Sequence, residues 1–325
     1  MQQGNLLELH KRRDFSAKLS ASVDFIRLHA RPFIKALTFI SGPFIILGAI
    51  LMADGYGQLM NLSALSDPGT APVVLENMFG LGIPIISGLI FLFVAGTLLI
   101  ATVYQYVVIY DEKKSTDISV SEVWQRVKSF MWTVLGSLVI WSIALVIIYL
   151  GGVFLVVAFS QVNTFFGVIT GIALGIILIY LIVAFSLVFV VQAYDKTDVF
   201  TSFGRALKLI RGKWWSTFGL IFVAGLIQSF VSYIFMIPWY VTFFAGTLHA
   251  AEETGLSEPS LLFQIANYTT LSLAFLASNL LNAFPLLALG FQYFNLVELK
   301  EARGLMNKIE TFGQQDTSDE DEEHY

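Results

Sequence analysis

The chain has 325 residues, of which 56% are hydrophobic and 13% charged, with 29 Phe, no Cys and a formal net charge of −5. A soluble globular protein carries about 25% charged residues, so this composition and a mean hydropathy of +0.73 exclude that class and point to a chain surrounded mostly by lipid. The absence of cysteine also excludes structural disulfides, thiolate metal sites and a cysteine nucleophile.

In chain order, Met1–Lys35 is polar and carries seven Lys and Arg, with no small-residue cleavage site before the apolar run that follows. That run is expected to be a retained span and not a signal peptide. Runs long enough to cross about 30 Å of hydrocarbon at 1.5 Å per residue occupy Ala36–Ala53, Leu81–Tyr110, Met131–Ala158, Thr164–Val191, Trp215–Thr247 and Thr269–Leu296. Pro84, Pro238 and Pro285 lie inside three of them, where a missing N–H and a ring clash predict irregular helix.

Charge is partitioned by side. Of the 19 Lys and Arg, seven precede the first run, four lie in Asp111–Phe130, five in Gln192–Trp214 and three after Leu296. None lies in Asp54–Gly80, Ser160–Asn163 or Leu248–Tyr268. Under the positive-inside rule this predicts six spans with both termini in the cytoplasm. Tyr104, Tyr106, Tyr110, Trp132, Trp214 and Trp215 at the basic ends, with Trp239 and Tyr240 near the opposite face, are expected to form interfacial aromatic belts.

Each basic segment leading into an odd-numbered span has helical periodicity of its own. Phe15, Leu19, Ile26, Ala30 and Phe33 make the first apolar stripe, Val120, Val123, Trp124, Val127 and Phe130 the second, and Phe200, Phe203, Leu207 and Ile210 the third. The expected fold is all-α and integral to a membrane: six transmembrane helices as three hairpins, each preceded by a cytoplasmic amphipathic interfacial helix. The units are residues 1–110, 111–194 and 195–299. Residues 300–325 follow as a helical extension and an acidic tail, Asp316–Tyr325, expected to be disordered. Arg126, Lys128, Arg205, Lys208 and Arg211 are expected to face anionic headgroups at about 1 kcal/mol per charge. The sharper alternative is a collar of the three helices that grips a cytoplasmic partner or a lipid headgroup between them.

The span interiors contain no Asp, Glu, Lys, Arg or His, which counts against an ion-coupled transporter. Gln228, Asn279 and Asn282 are the polar residues at depth with a candidate role, as a cavity between the fifth and sixth spans; hydrogen bonding between helices is expected ahead of it. Gly167, Gly171 and Gly175 form a small-residue stripe, expected to pack on the third span rather than to make a homodimer face. H-E-x-x-H, G-x-S-x-G and P-loop motifs are missing, so no enzyme and no cofactor are expected. His249 with Glu252 and Glu253 has metal-ligand spacing but no supporting shell in the sequence, and no metal is expected there. The basic residues are explained by topology, so no nucleic-acid partner is expected either.

The stretch Ser202-Phe-Gly-Arg-Ala-Leu-Lys-Leu-Ile-Arg-Gly-Lys-Trp-Trp215 resembles the signature of the membrane domain found in some bacterial glycerophosphoryl diester phosphodiesterases and in uncharacterised six-span proteins. There an Ala, a basic amphipathic helix, a Gly and an aromatic come in the same order. The resemblance implies the hairpin architecture over most of Arg12–Leu299. It does not imply the activity, because in that family the phosphodiesterase sits in a separate soluble barrel that is not legible in these residues. No site residue is carried over. Leu296–Leu305 is similar to the ends of multi-span proteins of Bacteroidota-like bacteria, which implies a Gram-negative inner membrane. The expected function is a non-enzymatic scaffold or accessory component associating with lipids or other envelope proteins. The alternative is a transporter or flippase-like carrier for an uncharged or lipidic substrate.

Overall fold

A computed structural model describes residues 7–64, 71–252, 261–302 and 306, with side chains described outside 56–81 and 247–252. Among the described residues there are nine helices and no strand: α1 (Phe15–Ala64), α2 (Ala71–Lys113), α3 (Val120–Val162), α4 (Thr164–Phe185), α5 (Val188–Asp195), α6 (Val199–Ile210), α7 (Trp214–Glu252), α8 (Leu261–Leu281) and α9 (Ala283–Glu301). Six stretches are long and apolar enough to cross a membrane: Phe15–Gly55, Gly82–Lys113, Val120–Val162, Thr164–Asp195, Trp214–Gly246 and Leu261–Glu301. Helix is the form such sequences must take in lipid, because every backbone N–H and C=O then bonds within its own segment.

Two of the three expected interfacial helices are not separate elements. α1 and α3 run without interruption from their basic segments into their spans. Nothing stops them, since neither Pro nor Gly lies between Val120 and Gly136, and α1 absorbs both Pro32 and Pro43. The third segment is a separate helix, α6, because Gly212 adopts φ 80°, a left-handed turn that ends it before α7. Asp198 caps its start, accepting from the amides of Phe200 (3.1 Å) and Thr201 (3.2 Å). Its buried face is Ser202, Ala206, Leu209 and Ile210, packed against protein, and Phe200 points away, 73% exposed.

The irregular points differ from those expected of the prolines. Pro84 and Pro238 lie inside unbroken helices. The fourth span breaks at Ser186 and Leu187, where no proline stands, and the Ser186 hydroxyl donates to the Val183 carbonyl (2.7 Å) in competition with the helix ladder. The sixth span breaks at Asn282, which places Pro285 in the first turn of α9, where its missing N–H costs nothing.

Sequence neighbours pack together, α1 on α2, α3 on α4 and α7 on α8, while α9 lies against α1, α2 and α7. The core sits at the end where the basic residues cluster. Phe25, Phe33, Tyr104, Tyr106, Tyr110, Phe291, Tyr293 and Phe294 are all fully buried there. The three tyrosines of α2 are therefore core residues and not a belt; Trp132 and Trp215 do face outward. Away from that end, α3 and α4 expose Ile143, Ile147, Phe154, Ile172 and Ile176, as lipid-facing helices do.

α3 and α4 are joined by one residue, Asn163, whose backbone accepts from Gly167 (3.3 Å) and whose side chain accepts from the Phe165 amide (2.8 Å). The turn brings Gly167 so close to α3 that a Cβ there would lie 2.8 Å from Ser160 Cβ. A Cβ on Gly171 would make ordinary contact with Val156 at 3.9 Å, and one on Gly175 would meet nothing. The stripe thus packs tightly at its turn end only.

Gly167→Ala is expected to destabilise the protein by about 1–2 kcal/mol, and Gly175→Ala to leave it unchanged or stabilise it by up to about 1 kcal/mol. Thermal unfolding in detergent reads both, and equal shifts would contradict the packing. Hydrogen bonds from the Thr201 side chain and backbone hold the exposed Asp198 carboxyl below the usual carboxylate range. Its cap is therefore complete above the unfolded Asp value and lost as pH falls through the depressed one, below roughly pH 4. Hydrogen exchange of the α6 amides should show this loosening in the wild type and not in Asp198→Asn, which keeps an uncharged cap.

Candidate functional site

At the basic end of the bundle, polar side chains gather into three constellations and one cleft; α7 and α8 share a further pair of contacts, Trp239 with Asn267 (3.0 Å) and Thr242 with Thr270 (3.2 Å). The first is a strap formed by the segment before α1. The Tyr110 hydroxyl donates to the Leu7 carbonyl (3.0 Å), and Leu9 is buried. His10 Nε2 stands 3.1 Å from Asp111 Oδ2, its ring packed edge-on against Phe294 at 4.9 Å. The Arg13 amide donates to Asn295 Oδ1 (2.8 Å), and its guanidinium lies 5.0 Å from the Phe291 ring centre while donating to the Leu9 carbonyl (2.8 Å). The strap ties α2 to α9 across the end of the bundle.

The second constellation surrounds Lys18, which is only 2% exposed. A buried ammonium is tolerated only where oxygens replace its water. Lys18 Nζ donates to Gln292 Oε1 (2.6 Å), Gln292 Nε2 donates to Thr217 Oγ1 (2.8 Å), and Thr217 Oγ1 donates to the Lys213 carbonyl (3.2 Å). This directed chain links α1, α9 and α7.

The third is Arg205 on α6. Its Nε bonds Asp195 at the end of α5, and its Nη2 reaches both oxygens of Glu301 on α9 at 3.0 and 3.1 Å. Burial works against the guanidinium charge, and the two carboxylates outweigh it, so Arg205 is held above its ordinary value. Tyr293 adds a hydroxyl donating to Asp195 (3.3 Å), and Lys300 Nζ donates to the Arg211 carbonyl (3.0 Å).

The cleft, with a volume of about 560 Å³, lies between α2, α3 and α5. Gln105, Gln192 and Thr133 line it together with the charged groups Glu112, Arg126 and Lys196. Arg126 Nη2 donates to Glu112 Oε2 at 2.5 Å. Gln192 is held by Ser137, which accepts from Gln192 Nε2 at 2.7 Å.

The residues singled out in the sequence fall differently. Arg126 and Arg205 are committed to ion pairs, while Lys128, Lys208 and Arg211 have exposed side chains. Gln228 bonds Ser232 on its own helix (2.8 Å), and Asn279 bonds the Phe275 carbonyl on its own helix (3.0 Å). Asn282 marks the break between α8 and α9. The structure brings none of these three into a shared hydrogen bond among the described residues. The side chains of His249, Glu252 and Glu253 and the tail Asp316–Tyr325 lie outside the described residues, among which no group of three or more acids and histidines is poised for a metal.

Sequence reasoning missed Lys18, His10, Asp111 and Gln192. Gln192 stands one residue beyond the expected fourth span, and the other three sit in segments read only for charge. A signal was present: the second, fourth and sixth spans each carry a glutamine near the basic end, Gln105, Gln192 and Gln292, and all three are buried.

His10→Ala is expected to release the strap, raising proteolysis between Leu7 and Asp14 several-fold while the helical content stays unchanged. Unaltered protection would show that His10 and Asp111 do not hold the segment. Compared with known protein families, curated proteins and solved structures, the chain matches none.

Proposed function

We propose that this protein is a non-enzymatic scaffold or accessory component of a bacterial cytoplasmic membrane, with both termini in the cytoplasm and three hairpins as its units, the third led by the separate helix α6. In this reading the basic end faces the cytoplasm, as the partition of Lys and Arg requires under the positive-inside rule. The likeness of Ser202–Trp215 to the membrane domain of certain phosphodiesterases supports the architecture and carries no activity.

The observation that carries the reading is where the charge goes. Arg126 and Arg205 stiffen the basic end through Glu112, Asp195 and Glu301, whereas Lys128, Lys208 and Arg211 stay exposed on it. A rigid face bearing exposed cations suits association with anionic headgroups or an acidic partner surface. The carrier reading is less well supported, because Gln228 and Asn279 spend their side chains on their own helices. What favours it is that the fourth and sixth spans are both broken, a feature of transporters that alternate access.

Native mass spectrometry of protein extracted gently with its own lipids tests the proposal. A defined protein subunit or firmly held anionic lipid is expected, and replacing Lys128, Lys208 and Arg211 with Gln should reduce its retention about tenfold. A bare monomer with exchangeable lipid only would overturn the reading.

A further inference from the structure

Gln192 is 2% exposed and lines the cleft between α2, α3 and α5. Its amide orientation follows from counting protons. The Ser137 hydroxyl donates its one hydrogen to the Thr133 carbonyl at 2.8 Å, so towards Gln192 it can only accept. Nε2 must therefore face Ser137, at 2.7 Å, and the atom left over is the carbonyl oxygen Oε1, which has no partner. A buried carbonyl oxygen left unpaired is destabilising. Beside the cleft, Gln192 Oε1 is thus a buried acceptor that lacks a hydrogen-bond donor.

The rim lacks the opposite. Lys196 follows Gln192 by four residues, at the end of the same helix, and is exposed, with no ion pair among the described residues. Across the cleft Arg126 spends one N–H on Glu112 and retains others in its fork. Two cations against one carboxylate leave this wall with a formal charge of +1. Lys196 also holds φ 51°, a left-handed conformation that glycine adopts without strain and lysine does not. Phe130 and Val108 supply apolar wall between rim and interior.

We propose that this cleft binds a phosphate ester that carries a hydrogen-bond donor, its phosphate at Lys196 and Arg126 and its hydroxyl or ammonium donating to Gln192 Oε1. A volume of about 560 Å³ admits a ligand of that size. The same chemistry is offered by a phospholipid headgroup and by a free phosphate ester. The proposal stands independently of the scaffold reading, since it uses none of the exposed cations Lys128, Lys208 and Arg211.

The test uses the full chain in phosphate-free maltoside micelles, titrated with short-chain phosphatidylethanolamine, phosphatidylglycerol and phosphatidylcholine, and with phosphoethanolamine and inorganic phosphate. The two lipids with a donor should bind about tenfold tighter than phosphatidylcholine, whose headgroup has a phosphate and no donor. Gln192→Leu should erase that preference, leaving Ser137 bonded to Thr133. Lys196→Gly should weaken every phosphate probe about tenfold while the unfolding temperature stays level or rises, so misfolding cannot imitate the result. Phosphoethanolamine binding as tightly as its lipid would identify the free ester as the source; binding confined to the lipids would identify the headgroup. Equal binding of phosphatidylcholine, wild-type affinity in both variants, or no binding of any probe would overturn the proposal and leave Gln192 Oε1 to an ordered water.

Discussion

Lys18 depends on a constraint that shapes the whole molecule: a polar group withdrawn from water must find its partner inside the protein. Its ammonium is buried between α1, α7 and α9 and leans on Gln292 Oε1, itself oriented by Thr217, and more distantly on Ser216 Oγ at 3.5 Å. That chain fixes the rotation of three helices at once, because turning any of them by one residue would leave a charge unsolvated. Beside it the aromatic core closes around Phe25, whose ring meets Tyr106, Tyr110 and Phe291 edge-on. Aromatic pairs of this kind add about 0.5–1.5 kcal/mol each beyond their buried area.

The same constraint divides the bundle lengthwise. At the basic end water is near, ion pairs such as Arg205 with Asp195 and Glu301 can form at the margin, and helices are knitted by side chains. Farther along, lipid removes the hydrophobic drive for helices to associate, and α3 and α4 hold together through the single-residue turn at Asn163 and the close approach at Gly167. Their remaining surface is apolar and exposed. The ion pairs named above thus lie where water is near, which is also where the cleft lies.

The glutamines of the second, fourth and sixth spans show how one residue type does two tasks at comparable positions. Gln292 neutralises the isolation of a buried lysine, while Gln105 and Gln192 line the cleft. An amide suits each, since it offers donor and acceptor without a charge to desolvate. Where the amide is bonded at both oxygen and nitrogen, as at Gln292, it is structural; where the carbonyl oxygen is left over, as at Gln192, it marks a place for something else.

The number of spans, their positions and the clustering of charge at one end were all legible in the residues, because lipid enforces long apolar runs and those features are properties of composition along a line. The breaks at Ser186 and Asn282, the burial of Tyr104, Tyr106 and Tyr110, the continuity of α1 and α3, and the pairing of His10 with Asp111 were not. The burial and the pairing depend on which residues distant in the chain come to lie side by side, and the breaks and the continuity turn on local backbone bonding that hydropathy does not read. A tyrosine near a helix end reads the same whether it meets lipid or another helix, and Gln192 reads as one more polar residue at a span's edge. Only when α2, α3 and α5 are placed together does its carbonyl oxygen emerge as an atom without a partner among the described residues, since satisfaction of a hydrogen bond is a property of three dimensions and not of one.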